Sequence, residues 1–484
     1  MKKKIEIVIF VCILIFAFVL RLYRFDNPIG DWHAFRQADT SAVAKVYVSN
    51  GINLLSPKYF DISNIQSGKD NPEGYRFVEF PLISAIQAIT FMYIGVLSLE
   101  EWGRLITICA SLGSLIFIYL IVRRNLDPVS GLFAAFFYAI LPYSIFYGRV
   151  ILPDPACACA ILGGIYFFDL AISYKKHKLL LLNIFFWLAL IFTAASFLLK
   201  PFALFFILPM LLLAWKRYGF RVILQWQLYV FAFLSVLPLI AWRIWITQYP
   251  EGIPVSNWLF NEGGIRFTGA FFHWILAERV AKLMLGYFGI VLLFLGLFKR
   301  SEKNYLFFLS FLLSSIIYVI VIARGNVQHD YYQILILPTI CIFLGRGATF
   351  LLSLPVKIGE NITVNTCVSF LTLFSIIIFS FMLSWYHVRD YFNINNRGLI
   401  NAGIIADKVL PKNARVIAAN DGDTSFLYYI NRKGWPAYEK SVEGLREMGA
   451  THIVVPNPTE NDINGLGAEY KRLYTSKDVL ILKL

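Results

Sequence analysis

Asp31, His33, Arg36, Gln37 and Asp39 fall within nine positions of "NPIGDWHAFRQADTSAVAKVY" (27–47), directly after the first long apolar run. A carboxylate in such a cluster can take a proton from a hydroxyl, and neighbouring cations can steady a developing anion. Chemistry-bearing residues recur at the ends of later apolar runs. Arg149 and Asp154 stand in "YGRVILPDPA", Lys200 in "FLLKPF", and His329 and Asp330 precede Tyr331 and Tyr332 in "RGNVQHDYYQILILP". Each alone has a bland explanation: Arg149 or Lys200 can snorkel to lipid headgroups, and His329 can cap a helix. Asp39 lies about two helical turns beyond Asp31 and so either shares its face or pairs with Arg36 three positions earlier. His33 with Asp31 and Asp154 suggests a metal, but three scattered ligands make a weak set. The expectation is no cofactor, with a divalent ion as the alternative.

The elements that must position these residues are membrane helices. Of 484 residues, 58% are hydrophobic and 15% charged, with a mean hydropathy of +0.64. A soluble fold of this size cannot hide that much apolar surface. Apolar windows occur at 5–20, 105–122, 131–147, 156–172, 179–199, 202–215, 226–246, 280–298, 305–322, 333–352 and 364–384. The first reads as a retained helix, because Leu20 runs into Arg21-Leu22-Tyr23-Arg24 with no small-residue cleavage site.

A twelfth window, 80–99, is long enough to cross, and the basic clusters decide against it. Lys2-Lys3-Lys4, Arg123-Arg124, Lys175-Lys176-Lys178, Lys216-Arg217-Arg221, Lys299-Arg300-Lys303 and Arg346 with Lys357 share the cytoplasmic side only if 80–99 stays out. The expectation is therefore a polytopic α-helical protein of eleven spans in the cytoplasmic membrane, forming residues 1–384. Residues 21–104 form a large outer loop, with 80–99 lying along the outer interface or dipping in and out. The junctions carrying Arg149, Asp154, Lys200 and His329 face outward, as does the tail.

The tail, 385–484, reads as a small extracytoplasmic α/β domain. "ARVIAAN" (414–420), "THIVVPN" (451–457) and "KDVLILKL" are β-branched runs. Helical stretches at 398–409, 423–431 and 440–449 alternate with them, with Gly434 and Gly449 as stops. Asp421-Gly422-Asp423 at a strand end reads as a capped turn.

The net charge of +14 does not indicate nucleic acid. Nearly all of it lies in short clusters between apolar runs, the positive-inside pattern. The six cysteines all fall in or beside apolar runs and read as small packing residues.

One carboxylate, several cations and a lipid-facing wall on one side suit transfer of a group from a phosphate-linked lipid. Neither a Walker loop nor a dinucleotide fingerprint is present. The order of "NPIGDWHAFRQADTSAVAKVY", Glu79-Phe80-Pro81, "EEWGRL" (100–105), "GRVILPDPA" (148–156), Lys200-Pro201 and "HDYYQILILP" (329–338) resembles the GT-C glycosyltransferases. The likeness is chiefly to the bacterial branch related to protein O-mannosyltransferases and the lipid A aminoarabinose transferase, and it covers about residues 5–350. It implies inverting transfer of a sugar from a polyprenyl-phosphate donor at the outer face, to a glycan, lipid or protein acceptor. It implies membrane-parallel helices in the large first outer loop. It also implies Asp31 as general base and Asp154 as the second acidic residue. Arg149, Lys200 and His329 would surround the phosphate, and Tyr331 and Tyr332 would line the sugar or carrier pocket. Where the aminoarabinose transferase has a lysine before a proline pair, this chain has Glu79 and the single Pro81, so Arg36 or Arg104 would take over that contact. The rival classes are a lipid-linked glycan polymerase or ligase, and a flippase or transporter. No long internal repeat favours transport.

Overall fold

The computed structural model describes residues 3–174, 179–298, 304–354 and 362–484. The basic runs at Lys175-Lys176-Lys178 and Lys299-Arg300-Lys303, with Lys2 and Lys357, lie outside the described residues. Ten helices carry the argument: α1 (Lys3–Arg21), α2 (Ala34–Asn50), α3 (Leu82–Tyr93), α4 (Leu99–Asn125), α5 (Pro128–Ile140), α6 (Pro142–Tyr147), α7 (Asp154–Ser173), α8 (Ile184–Leu199), α9 (Leu208–Tyr218) and α10 (Trp226–Ile246). All eleven apolar windows coincide with helices. Among the described residues five helices are long and apolar enough to cross a membrane, or six if the pair Gly269–Met284 and Gly289–Phe298, bent by 112°, is one span. Five more apolar helices are shorter. Helix α3, inside the twelfth window, has 12 residues. At 1.5 Å per residue it reaches about 18 Å, short of the ~30 Å hydrocarbon core.

Backbone contacts divide the chain into two units. The first holds Met1–Phe25, Thr107–Ala241 and Asn257–Asp390; the second holds Asp26–Ile106, Trp242–Ser256 and Tyr391–Leu484.

In the first unit, prolines and caps set the helix ends. Asp127 caps α5, accepting from the backbone N–H of Val129 and Ser130, and Pro128 tolerates the first helical position. Pro142 cannot continue α5, so the chain breaks at Leu141 and restarts as the single-turn α6. Pro201 likewise disfavours a helical Lys200, which is extended (φ −153°, ψ 124°) and ends α8. Helices Gly289–Phe298 and Leu337–Ser353 cross at Gly296 and Gly347. A Cβ at Gly347 would stand 1.9 Å from the Leu292 carbonyl, so only glycine permits this approach. Arg346, which the charge rule grouped with Lys357 on the cytoplasmic side, is fully buried. Its guanidinium lies 5.0–5.4 Å from the rings of Phe308, Phe343 and Tyr305, a boxed cation–π arrangement.

The second unit holds a five-stranded sheet, order β2-β1-β3-β5-β4, from β1 (Val416–Ile417), β2 (Gly434–Trp435), β3 (His452–Pro456), β4 (Lys471–Thr475) and β5 (Val479–Lys483). Strand β1 pairs parallel with β2 and β3; β5 pairs antiparallel with β3 and β4. Alternation sorts the side chains. Val416, Val454, Val479 and Ile481 pack with helices Arg397–Val409 and Ser425–Ile430 on one face, while Ile417, Ile453, Leu480 and Leu482 join Trp435 and Leu445 on the other. The expected stop at Gly434 is corrected: Asn431, left-handed at φ 56°, ends the helix, and Gly434 begins β2. There a Cβ would meet the Val416 carbonyl at 2.0 Å. Asp423 accepts from the Ser425 N–H at 2.7 Å, a capped turn.

The tail shares its unit with the first loop. Gly434 N donates to Phe60 O and Ile62 N donates to Gly434 O, at 2.9 and 3.0 Å, so the loop continues the sheet edge. Lys45 of α2 donates to the Tyr428 carbonyl at 3.0 Å and lies over its ring. Helices α2 and α3 are joined by Ser84, donating to Thr40 O, and by Gln87, donating to Ser41.

Candidate active site

In the first unit the chemistry gathers at one end of α7. Asp154 opens that helix and is fully buried; the Lys200 ammonium stands 2.7 Å from its carboxylate. Pro201 is the reason, since it ends α8 and turns Lys200 out of the helix. The Lys200 nitrogen lies 4.8 Å from the Tyr332 ring centre and 5.4 Å from that of Tyr331. His329 stacks on both tyrosines, at 5.2 and 6.0 Å. A buried ammonium beside one carboxylate and two aromatic faces is charge-balanced yet able to meet a second anion.

Asp330 stood out in the sequence beside His329 but was assigned no role there. Its Oδ1 accepts from the Tyr147 hydroxyl and its carbonyl accepts from the Tyr143 hydroxyl, both at 2.5 Å. Arg279 stands 3.9 Å from Oδ2. The break at Pro142 is what brings both tyrosines of α6 to this point. Arg149 is fully buried, and donates to the Arg24 carbonyl at 3.0 Å.

In the second unit Asp31 is fully buried. Gln37, one turn into α2, donates from Nε2 to Asp31 Oδ1 at 2.6 Å. Arg104, also fully buried, stands 3.7 Å from Oδ2 and donates to the Pro28 carbonyl. Arg36 takes a different set: it pairs with Glu79 at 3.2 Å and with Asp39 at 3.8 Å. Asp39 also meets Arg76 at 2.7 Å and accepts from Thr424 at 2.7 Å, so the i,i+3 pair with Arg36 belongs to a buried network that ties α2 to the tail. Glu79, the departure noted in the sequence, is thus the partner of a neighbouring arginine. His33 takes a left-handed conformation (φ 58°) before α2, its ring against Trp32 and Phe35. Among the described residues, no three His, Cys, Asp or Glu side chains gather as a metal-ligand set.

The structure therefore joins Asp154, Lys200, His329, Tyr331 and Tyr332 in one unit, and Asp31 with Arg104 in the other. Tyr143, Tyr147, Asp330 and Arg279 join the first group. Of these, only Asp330 carried a sequence signal, through its place in "HDYY".

Residues 78–242 match the family model described as dolichyl-phosphate-mannose-protein mannosyltransferase. No curated protein sequence matches the chain. Among solved structures, ArnT from Cupriavidus metallidurans in the apo state aligns at a TM-score of 0.65 and 11% identity, over 99% of this chain and 97% of that one. The same protein bound to undecaprenyl phosphate aligns at 0.65 and 12%, with the same coverage. The archaeal oligosaccharyltransferase AglB from Archaeoglobus fulgidus, in complex with an inhibitory peptide and a dolichol-phosphate, aligns at 0.62 and 11%, over 96% of this chain and 70% of that one. At such identities the likeness lies in the fold.

Proposed function

From a chain with the fold of the GT-C integral-membrane glycosyltransferases, we propose that the protein transfers a sugar from a polyprenyl-phosphate carrier to an acceptor hydroxyl, with inversion. Its reading is an eleven-span protein of the cytoplasmic membrane, with the reaction and the tail domain (385–484) on the outer side. The observation that carries it is the Asp154–Lys200 pair, walled by Tyr331 and Tyr332, in a chain whose whole length follows one bound to undecaprenyl phosphate.

The roles divide by charge. Asp31 takes the proton of the acceptor hydroxyl as its oxygen attacks the anomeric carbon; the carbon–oxygen bond to the carrier breaks and polyprenyl phosphate departs with its electron pair. Lys200 and Arg149 offset the charge that builds on that phosphate, and Asp154 holds Lys200 in place beforehand. Tyr331, Tyr332 and His329 offer faces to the sugar. Arg104, 3.7 Å from Oδ2, holds the Asp31 carboxylate in place, while Arg36 serves the network around Asp39. The reaction so written needs no cofactor, and polymerisation or transport of lipid-linked sugars is the alternative.

The test is transfer from a polyprenyl-phosphate sugar by purified, reconstituted protein. Asp31→Asn, nearly isosteric, should lower transfer by about 10²–10⁴-fold and leave binding of the carrier phosphate unchanged. An active Asp31→Asn protein would remove the base assignment. Comparison of surface glycans with and without the gene would name both sugar and acceptor.

A further inference from the structure

The far end of α7 holds a second charged pocket. From Asp154 to Ser173 the helix runs 20 residues, about 28 Å at 1.5 Å per step, close to the thickness of a bilayer core. A cavity of about 440 Å³ opens there, where the C-terminal ends of α4, α7 and α9 meet. Among the described residues, Arg124, Lys216 and Arg217 line it against the single carboxylate of Asp169, with Ile172 and Leu213 as its apolar wall. Asp169 is already engaged: Arg124 stands 2.7 Å away, and Asn125 and Ser173 donate to it at 3.2 and 3.3 Å. Lys216 bonds the Asn304 side chain, and Asn304 donates to the Asn125 carbonyl at 2.9 Å. The lining therefore keeps an excess of positive charge around a hollow, with Arg124 and Lys216 held by their partners and Arg217 exposed beside them.

Next to it on α9 lies an apolar groove of about 420 Å³, walled by Leu211, Ala214, Trp215, Val222, Ile223 and Tyr229. On α9, Lys216 and Arg217 of the first hollow directly follow Ala214 and Trp215 of the second. The segment Gly219–Leu224 then exposes Phe220 (82%), Ile223 (68%) and Leu224 (72%), and Trp215 and Trp226 are half exposed. Aromatic and aliphatic side chains laid bare beside cations at a span end mark the level of the headgroups.

We infer that this end of the first unit is a binding site for an anionic phospholipid: its phosphate lies among Arg124, Lys216 and Arg217, and an acyl chain lies along the groove on α9. Charge selects the ligand. Three cations against one engaged carboxylate favour a net-negative headgroup over a zwitterionic one, at about fivefold in affinity per cation. The groove selects a lipid over free phosphate. This site lies at the opposite end of α7 from Asp154 and does not depend on the transfer reaction.

The experiment uses the full chain, purified in detergent and stripped of lipid, titrated with dioctanoyl phosphatidylglycerol, dioctanoyl phosphatidylcholine and inorganic phosphate. Native mass spectrometry reads the bound fraction. Phosphatidylglycerol should bind at least about fivefold more tightly than phosphatidylcholine, and inorganic phosphate at the same concentration should not displace it. The double variant Lys216→Gln/Arg217→Gln changes two exposed side chains and should unfold at the wild-type temperature without lipid, yet lose that preference. Equal affinity for the two lipids, an unchanged preference in the double variant, or displacement by inorganic phosphate would each overturn the assignment.

Discussion

Gln37 and Asp31 are six residues apart, and the sequence displays both; what it does not display is that the amide of one holds an oxygen of the other at 2.6 Å. That bond orients the carboxylate and leaves its Oδ2 toward Arg104. Gln37→Glu replaces a donor by a second carboxylate, and two carboxylates at such a distance share one proton. The acidic limb of the pH–rate profile should therefore move up by about one unit or more. Mere loss of structure would lower the rate without moving that limb, so the pH profile separates the two. Asp61 makes a different case. Burial pushes its carboxyl up to about 6, against hydrogen bonds from Ser63 and Tyr59 that favour the charged form, with Asp39 adding repulsion. Between the unfolded value of 3.8 and about 6, the folded chain holds the proton and the unfolded chain does not. Stability thus falls as pH rises through that window, by roughly 3 kcal/mol. Asp61→Asn escapes the loss, so its unfolding temperature relative to wild type should rise between about pH 4 and pH 7; a constant difference would refute the buried charge. At this scale, the clusters near Asp31 and Asp154 were readable because polar residues stand out in apolar sequence. Tyr147 and Arg279 were not. A tyrosine 183 positions from the carboxylate it meets leaves no local mark.

Among elements, hydropathy located the apolar helices of the described residues because a stretch within a bilayer, facing lipid or packed in the bundle, must be continuously apolar, whereas the breaks needed finer clues. Pro142 and Pro201 are visible in sequence, and both stop helices as their lost N–H requires. The tail shows the limit. Strands β1, β3 and β5 were legible as β-branched runs. Strand β2 has only two residues, and β4 is exposed along its whole length, so neither shows an apolar alternation. Gly434 looked like a stop because a glycine after a helix usually is one, yet its role is close approach to the Val416 carbonyl. Gly347 makes the same point in the first unit and is testable. Gly347→Ala puts a Cβ 1.9 Å from the Leu292 carbonyl. Helices Gly289–Phe298 and Leu337–Ser353 must then separate, at a cost of about 1–3 kcal/mol, read as a lowered unfolding temperature. Gly269→Ala, with open space around its Cβ, is the control and should stay within about 0.5 kcal/mol of wild type. Equal effects in the two variants would show that the crossing is not tight.

For the whole molecule, a carrier that binds the folded chain must stabilise it, whether or not transfer takes place. At a hundred times its dissociation constant, a ligand adds about 2.7 kcal/mol, a shift of a few degrees for a chain of this length. Undecaprenyl phosphate, added to protein in detergent without any sugar, should raise the unfolding temperature by that amount. Lys200→Ala should abolish most of the shift. It also strips the buried Asp154 of its ion-pair partner, and truncating one side of such a pair typically costs about 3–5 kcal/mol, so the variant will begin from a lower midpoint. The informative quantity is the shift each protein shows with ligand, not the midpoint itself. Lys200→Arg keeps a cation beside Asp154 and should recover most of the shift. If Lys200→Ala and wild type respond equally to the carrier phosphate, the pocket walled by Tyr331 and Tyr332 is not where that phosphate sits, and the donor must be sought along another face of the first unit.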